Sequence, residues 1–302
     1  MSENYIKVKT IILVLLYNKE CYESNTLKAL SQNAYSDYDL YVYNNGPNTI
    51  EFNNELLNSI MDKINGMYFS ESLNNMPLSH IYNDFFEKFP NHDRYIIFDD
   101  DTNVGDCFFS VLDSEENIRE IDLQLPLIKS STSNDIYYPE VNGKICGKYC
   151  AIKNHDTVRS IGSGLIIYKK MILSFYKNNM QLFDEHFALY GVDTSLFQRI
   201  SVLRKNGINF NIVIAGELIH SLSRVDESAS DWRRIERLYD RILSILYYSP
   251  SKKLMLWRLS KVFIKSALSF NLSNCLLILK TIKKGSHPRC EIKYLRVVGE
   301  DL

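Results

Sequence analysis

Three consecutive carboxylates close an apolar run in RYIIFDDDTNV, residues 94–104. Adjacent acids repel one another and need solvent, so at the tip of a buried strand they cost stability unless a cation sits among them. Oxygen ligands of this kind suit Mg2+ or Mn2+, and phosphates held through such an ion. In an extended segment successive side chains alternate, so Asp99 and Asp101 point one way and Asp100 the other. A second polar signal, the NNGP turn at 44–47, ends another short apolar run.

The elements that must position these groups are legible along the chain. Val8–Tyr17 is Ile-, Val- and Leu-rich without alternation, as expected of a parallel strand covered on both faces. A helix over 20–33 and a strand over Asp39–Tyr43 follow, then a helix around Glu51–Ile64, a strand at Gly66–Phe69, a helix over Leu78–Lys88 and a strand at Tyr95–Phe98. This alternation predicts an α/β fold with an open, mostly parallel sheet, whose ligands bind beyond the carboxyl ends of the strands, where NNG and DDD both fall. Between 105 and 160 the stretches 130–134 and 137–144 read as loops with short antiparallel strands between them. Residues 162–168 read as a glycine turn entering a strand, 184–206 as a helix and 210–215 as the last strand of the core.

With 302 residues, 45% of them hydrophobic, the chain can bury a large core, which excludes disorder as its main theme. The net charge of -1 hides an asymmetry: residues 231–302 carry 15 Lys/Arg against 6 Asp/Glu, so residues 1–230 are strongly acidic. We therefore divide the chain at 230 into an acidic part, 1–230, and a basic helical part, 231–302. An acidic front half argues against nucleic acid as a partner. Between 241 and 290 there are 10 Lys/Arg and no acid; Arg258, Lys261 and Lys265 share one helical face, with Met255, Leu259, Phe263 and Phe270 towards another. Such a helix either lies on an anionic membrane surface or packs on its own core. The apolar segment IILVLLY is far shorter than the roughly 20 residues of a membrane span and lacks a cleavage site, which predicts a cytoplasmic protein. Six scattered cysteines are too few for a disulfide scaffold, and the Cys146/Cys150 pair lacks a second pair at zinc spacing.

Four segments, in order, resemble inverting glycosyltransferases of family 2, which have the A-type fold: LLYNK at 15–19, YVYNNGP at 41–47, IIFDDDT at 96–102 like the metal-binding D-x-D, and FDEHFALYGVDTSLFQR at 183–199. SIGSGLIIYKK at 160–170 is similar to the strand that precedes the acceptor helix, and the resemblance spans about residues 8–225. Bacterial rhamnosyltransferases and other O-antigen transferases are the most similar branch. The resemblance implies a nucleotide-sugar donor and a Mn2+ or Mg2+ cofactor. Tyr17 would stack on the nucleobase; Asn18, Asn44, Asn83, Asp99 and Asp100 would make further donor contacts. Asp99, Asp101 and His220 would hold the metal, with Asp101 as a direct ligand. Asp193 would be the catalytic base, Gly164 and Glu185 would contact the acceptor, and Arg199 would brace the site. Two positions depart from the pattern: Asn44 stands where an aspartate reads the base, and Ser195 where a second acid follows Asp193. The reaction implied is sugar transfer to a lipid-linked oligosaccharide in surface-polysaccharide synthesis, by an enzyme peripheral to the inner face of the cytoplasmic membrane. Two alternatives are a haloacid-dehalogenase-like phosphatase using Asp99 and Asp101, whose motif belongs on a first strand, and a non-catalytic or nucleic-acid-binding protein.

Overall fold

Strand β1 (Thr10–Leu16) is buried at every position. Its odd residues Ile11, Leu13 and Leu15 face one hydrophobic cluster and its even residues Ile12, Val14 and Leu16 face another, which is why its sequence shows no alternation. The computed structural model describes residues 8–112, 120–221 and 230–291. After β1 the chain forms α1 (Asn25–Gln32), β2 (Asp39–Asn44), α2 (Glu55–Met61), β3 (Gly66–Glu71), α3 (Leu78–Lys88) and β4 (Arg94–Asp99). A two-residue β5 (Thr102–Asn103) and α4 (Asp106–Phe109) precede the long β6 (Leu123–Ser130). Next come the short strands β7 (Ile136–Tyr138), β8 (Glu140–Val141), β9 (Lys144–Ile145), β10 (Cys150–Ile152) and β11 (Val158–Arg159). Strand β12 (Leu165–Tyr168), α5 (Lys169–Lys177), α6 (Val192–Lys205) and β13 (Ile212–His220) complete the core, and α7 (Asp231–Tyr248), α8 (Lys252–Leu268) and α9 (Leu272–Lys284) follow. Side chains of Ser24, Asn54, Ser230, Ser251 and Asn271 cap α1, α2, α7, α8 and α9, each satisfying a backbone N–H of the first turn.

The main sheet runs β10-β13-β6-β12-β4-β1-β2-β3. From β3 to β4 the strands are parallel, β12 is antiparallel to both β4 and β6, and β6 is parallel to β13. β8, β9 and β11 form a separate small sheet.

Two expectations are corrected here. The stretch 105–160 contains β6, a full member of the sheet, and its predicted loop at 137–144 contains strands β8 and β9. Pro126 disguises β6, because a proline argues against a central strand. Opposite it the β6–β13 register shifts between Ile214 and Glu217, and the Gln124 side-chain amide donates to Ala215 O at 3.3 Å. The helix expected over 184–206 begins only at Val192, since Gly191 before it has a left-handed φ of 88° that ends the preceding turn.

Helices α7–α9 enclose their own cluster of Ile242, Ile245, Leu259, Val262 and Ile278. They are also built onto the sheet: Leu243 belongs to the main core, where full burial of such a side chain contributes about 2 kcal/mol. Among the described residues no helix is long and apolar enough to cross a membrane.

Candidate active site

The apolar residues of β4 bury the strand up to Phe98 and deliver Asp99 to its carboxyl end, with Asp101 in the turn that follows. The turn leads into β5, which pairs with the last residues of β13 so that Thr102 lies opposite His220. This pairing carries a histidine 118 residues away to the acids. His220 Nδ1 lies 3.0 Å from Thr102 Oγ1 and 3.3 Å from Asp101 Oδ1, and Nε2 faces Asp99 Oδ2 at 3.9 Å. Ser163 locks the corner: its Oγ accepts from the Asp99 N–H at 3.0 Å and lies 2.6 Å from Thr102 Oγ1.

One ligand atom from each of Asp99, Asp101 and His220 falls within 4.8 Å of the others. Asp101 Oδ1 is buried and accepts no hydrogen bond among the described residues. Burial, reinforced by the charges of Asp101, Asp100 and Asp193, holds the Asp99 carboxyl well above the usual carboxylate range. Two carboxylates and an imidazole, one carboxylate oxygen lacking a donor, fit a divalent cation such as Mn2+ or Mg2+. Asp100 lies with Asp101 in the turn after β4 and not in an extended segment, and its carboxylate pairs with Lys19 and accepts from the Tyr17 N–H at 3.3 Å.

The remaining donor-side candidates divide into two exposed residues, Tyr17 and Asn18, and two buried ones, Asn44 and Asn83. The Tyr17 ring is 44% exposed, and its hydroxyl accepts from Asn75 Nδ2 at 3.3 Å. Asn18, at φ 53°, joins the two strand ends by donating its N–H to Gly46 O at 2.7 Å. Asn44 is fully buried: its Nδ2 donates to Asn48 O and Glu71 Oε2, both at 2.7 Å, and its Oδ1 accepts from the Gly46 N–H at 2.9 Å. Its side chain thus builds the turn and is not presented to solvent. Gly46 is required there, because at φ +78° a Cβ would lie 2.8 Å from Leu73 O. Asn83 is likewise buried, clamping the loop after α5 through Phe183 O at 2.9 Å, the Phe183 N–H at 3.1 Å and Glu185 Oε1 at 3.2 Å.

A cavity of about 330 Å³ opens beside the acid corner. Asp99 and His220 line it, as do Asp193, in the first turn of α6, and Tyr82, Gly162 and Arg159. Asp193 Oδ1 accepts the Thr194 N–H at 2.8 Å. A Cβ on Gly162 would lie 3.8 Å from both Asp193 Cβ and Tyr82 Oη, so the glycine keeps this wall thin. Burial, with the charges of Asp99 and Asp193, raises the Tyr82 phenol well above its ordinary value and keeps it a hydrogen-bond donor.

Gly164 does not line this cavity. Its N–H donates to Ile97 O at 2.7 Å, and a Cβ there would come within 2.3 Å of Leu218 Cδ1, so it serves the close approach of strands. Glu185 is exposed and also lies outside the lining. Arg199 braces the loop, pairing through NH2 with the buried Asp184 at 3.0 Å. Residues that sequence reasoning passed over include Tyr138, Glu140 and Tyr190 on the cavity wall, and Arg159, which pairs with Glu140 at 2.8 Å. No local pattern marks them, because the short strands β8 and β11 bring the Arg159–Glu140 pair together across 19 positions. A further link comes from beyond α9: Arg289 donates to Asn75 Oδ1 at 2.8 Å and to Glu236 Oε2 of α7 at 2.9 Å, joining the C-terminal helices to the loop that holds the Tyr17 hydroxyl.

The sheet order, the acid corner at the end of β4 and the antiparallel β12 define the A-type glycosyltransferase fold. Among solved structures the chain is similar to Staphylococcus aureus TarS. It aligns with TarS 1-349 in complex with UDP-GlcNAc at a TM-score of 0.54 and 10% identity, covering 93% of both chains. The UDP complex of the same segment gives 0.53 and 10%, again over 93% of each. Against the longer TarS chain the TM-score is 0.51 at 12% identity, and the match spans 42% of that chain and 84% of this one. No family model and no curated protein matches the sequence.

Proposed function

We propose that this protein is an inverting, divalent-metal-dependent glycosyltransferase that moves a sugar from a nucleotide-sugar donor to an acceptor hydroxyl. The observation that carries the reading is that Asp99, His220 and Asp193 open onto one cavity. Asp99, Asp101 and His220 would hold Mn2+ or Mg2+, which when bound neutralises the diphosphate leaving group. Asp193, on the lining of the same cavity, takes the proton of the acceptor hydroxyl as its oxygen attacks the anomeric carbon from the face opposite the diphosphate. Thr194 holds the carboxylate through its backbone N–H. Tyr82 supplies a protonated phenol to the same space, and the Arg159–Glu140 pair offers donors and acceptors for sugar hydroxyls. Tyr17 is the exposed ring against which a base would stack.

The TarS complexes with UDP and UDP-GlcNAc make uridine-diphosphate sugars the first donors to test. The acceptor in this reading is a lipid-linked oligosaccharide of a surface polysaccharide, at the inner face of the cytoplasmic membrane. The phosphatase alternative needs its acids at the end of the first strand, whereas Asp99 ends the fourth, within a glycosyltransferase fold. The test is a panel of nucleotide sugars assayed by thermal shift with Mn2+, followed by transfer assays on stabilising donors. A panel that gives neither stabilisation nor turnover overturns the reading.

A further inference from the structure

We infer that the α8–α9 hairpin is a membrane-docking edge whose tip enters the headgroup region of an anionic bilayer. Of the apolar face expected from sequence spacing, Met255, Leu259 and Phe263 turn inward against the cluster of Ile242, Ile245 and Ile278, whereas Phe270 does not, because α8 ends at Leu268 before reaching it. A second apolar set remains outside. On α8, Trp257, Ile264 and Leu268 recur at seven and four residues on the opposite face, 54%, 53% and 75% exposed. On α9, Leu272, Leu276 and Leu279 recur at four and three, 75%, 59% and 53% exposed. The turn between the two helices carries Phe270, 92% exposed and in the left-handed region at φ 51°. A large aromatic held outward in that backbone region is uncommon, and an exposed apolar grouping of this size marks an interaction surface.

Charge selects the occupant. Lys253, Lys261, Lys265, Lys280 and Lys283 are exposed on the same two helices, and no acidic residue occurs between 241 and 290. Lys261 Nζ lies 3.6 Å from the Trp257 ring centroid. A second copy of this chain would set these cations against their equals, whereas anionic headgroups pair with them while the aliphatic stems and rings reach the acyl boundary. Neither helix can span a bilayer, so the hairpin lies in the interface. The purpose of such docking, bringing the cavity to a lipid-linked acceptor, rests on the function proposed above; the docking itself does not.

The test is flotation of the full chain with phosphatidylcholine vesicles, with and without phosphatidylglycerol, no sugar nucleotide being present. The expected result is binding to the anionic vesicles that weakens about tenfold or more on neutral ones and at high salt. The combined Leu268→Ser, Phe270→Ser and Leu272→Ser variant should lower binding about tenfold with an unchanged melting temperature, since all three side chains are exposed. In a Trp232→Phe background, Trp257 is the remaining tryptophan, and its emission should shift to the blue on anionic vesicles. Failure to bind anionic vesicles at low salt overturns the inference. So does binding that the triple substitution leaves intact, or a concentration-dependent dimer that the triple substitution abolishes in a chain that ignores vesicles. Flotation without any sugar transfer would remove the transferase reading and leave the docking edge standing; transfer without flotation would do the reverse.

Discussion

Asp184 and the Asp99–Asp101 corner treat carboxylates in opposite ways: the Asp184 side chain is 3% exposed, those of Asp99 and Asp101 38% and 30%. Burial alone would raise Asp184, but hydrogen bonds from His186 and Tyr248, with the Arg199 charge, hold it down at about 2. Each of its oxygens is partnered: His186 Nδ1 at 2.5 Å and Arg199 NH2 at 3.0 Å on Oδ1, and the Tyr248 hydroxyl at 2.5 Å on Oδ2. The Asp99–Asp101 corner has acids as neighbours, one histidine, and a buried oxygen that accepts no hydrogen bond among the described residues. A saturated carboxylate locks a loop, while an undersaturated one is a demand for a cation. Both lie in stretches rich in acids, and only their partners tell them apart.

The sharpest way to break this contrast is Asp101→Ala. Transfer should fall at least about a hundredfold, as chelation of the wild type should also do. The melting temperature without metal should hold or rise, since a repelling charge is gone, and Mn2+ should stabilise the wild type but not the variant, as read by thermal shift. Asp193→Ala should reduce turnover by about a thousandfold while donor binding by calorimetry is retained; full turnover in this variant would remove the base assignment. Asp184→Asn should act on stability instead, costing about 3 kcal/mol in urea titration because Arg199 loses its buried partner, with nucleotide-sugar affinity per folded molecule preserved. The smallest effect is on pH. A carboxyl held at about 2 against an ordinary 3.8 contributes stability that is fully present above the ordinary value and lost as pH falls from there through 2. Acid titration of wild type against Asp184→Asn should show their stability difference shrinking by roughly 2 kcal/mol over that window.

How much of this was legible in the sequence follows the range of the interactions. The run IIFDD announces both β4 and its acid end, since burial and charge are read directly from residue type. His220 could be suspected only from resemblance, because the β5–β13 pairing that delivers it is a long-range event. Asn44 and Asn83 share their type with surface amides, and nothing local says that every hydrogen bond they make is internal. β6 was hidden by Pro126, and its partner strand β13 comes from far along the chain, with Gln124 meeting Ala215 across 91 positions. In α8 the inward face was legible by spacing, but apolar residues occupy both faces, so the outward set of Trp257, Ile264 and Leu268 did not stand out.

The contacts of Tyr248, Glu236 and Arg289 bear on any attempt to exchange parts of this protein. Tyr248 completes the shell of Asp184, and Arg289 ties α7 to Asn75 beside the Tyr17 hydroxyl. A chimera that grafts a foreign tail after β13 would discard these three side chains and slacken the loops on both flanks of the cavity. Grafts that carry residues 231–291 as a block would keep the seam intact.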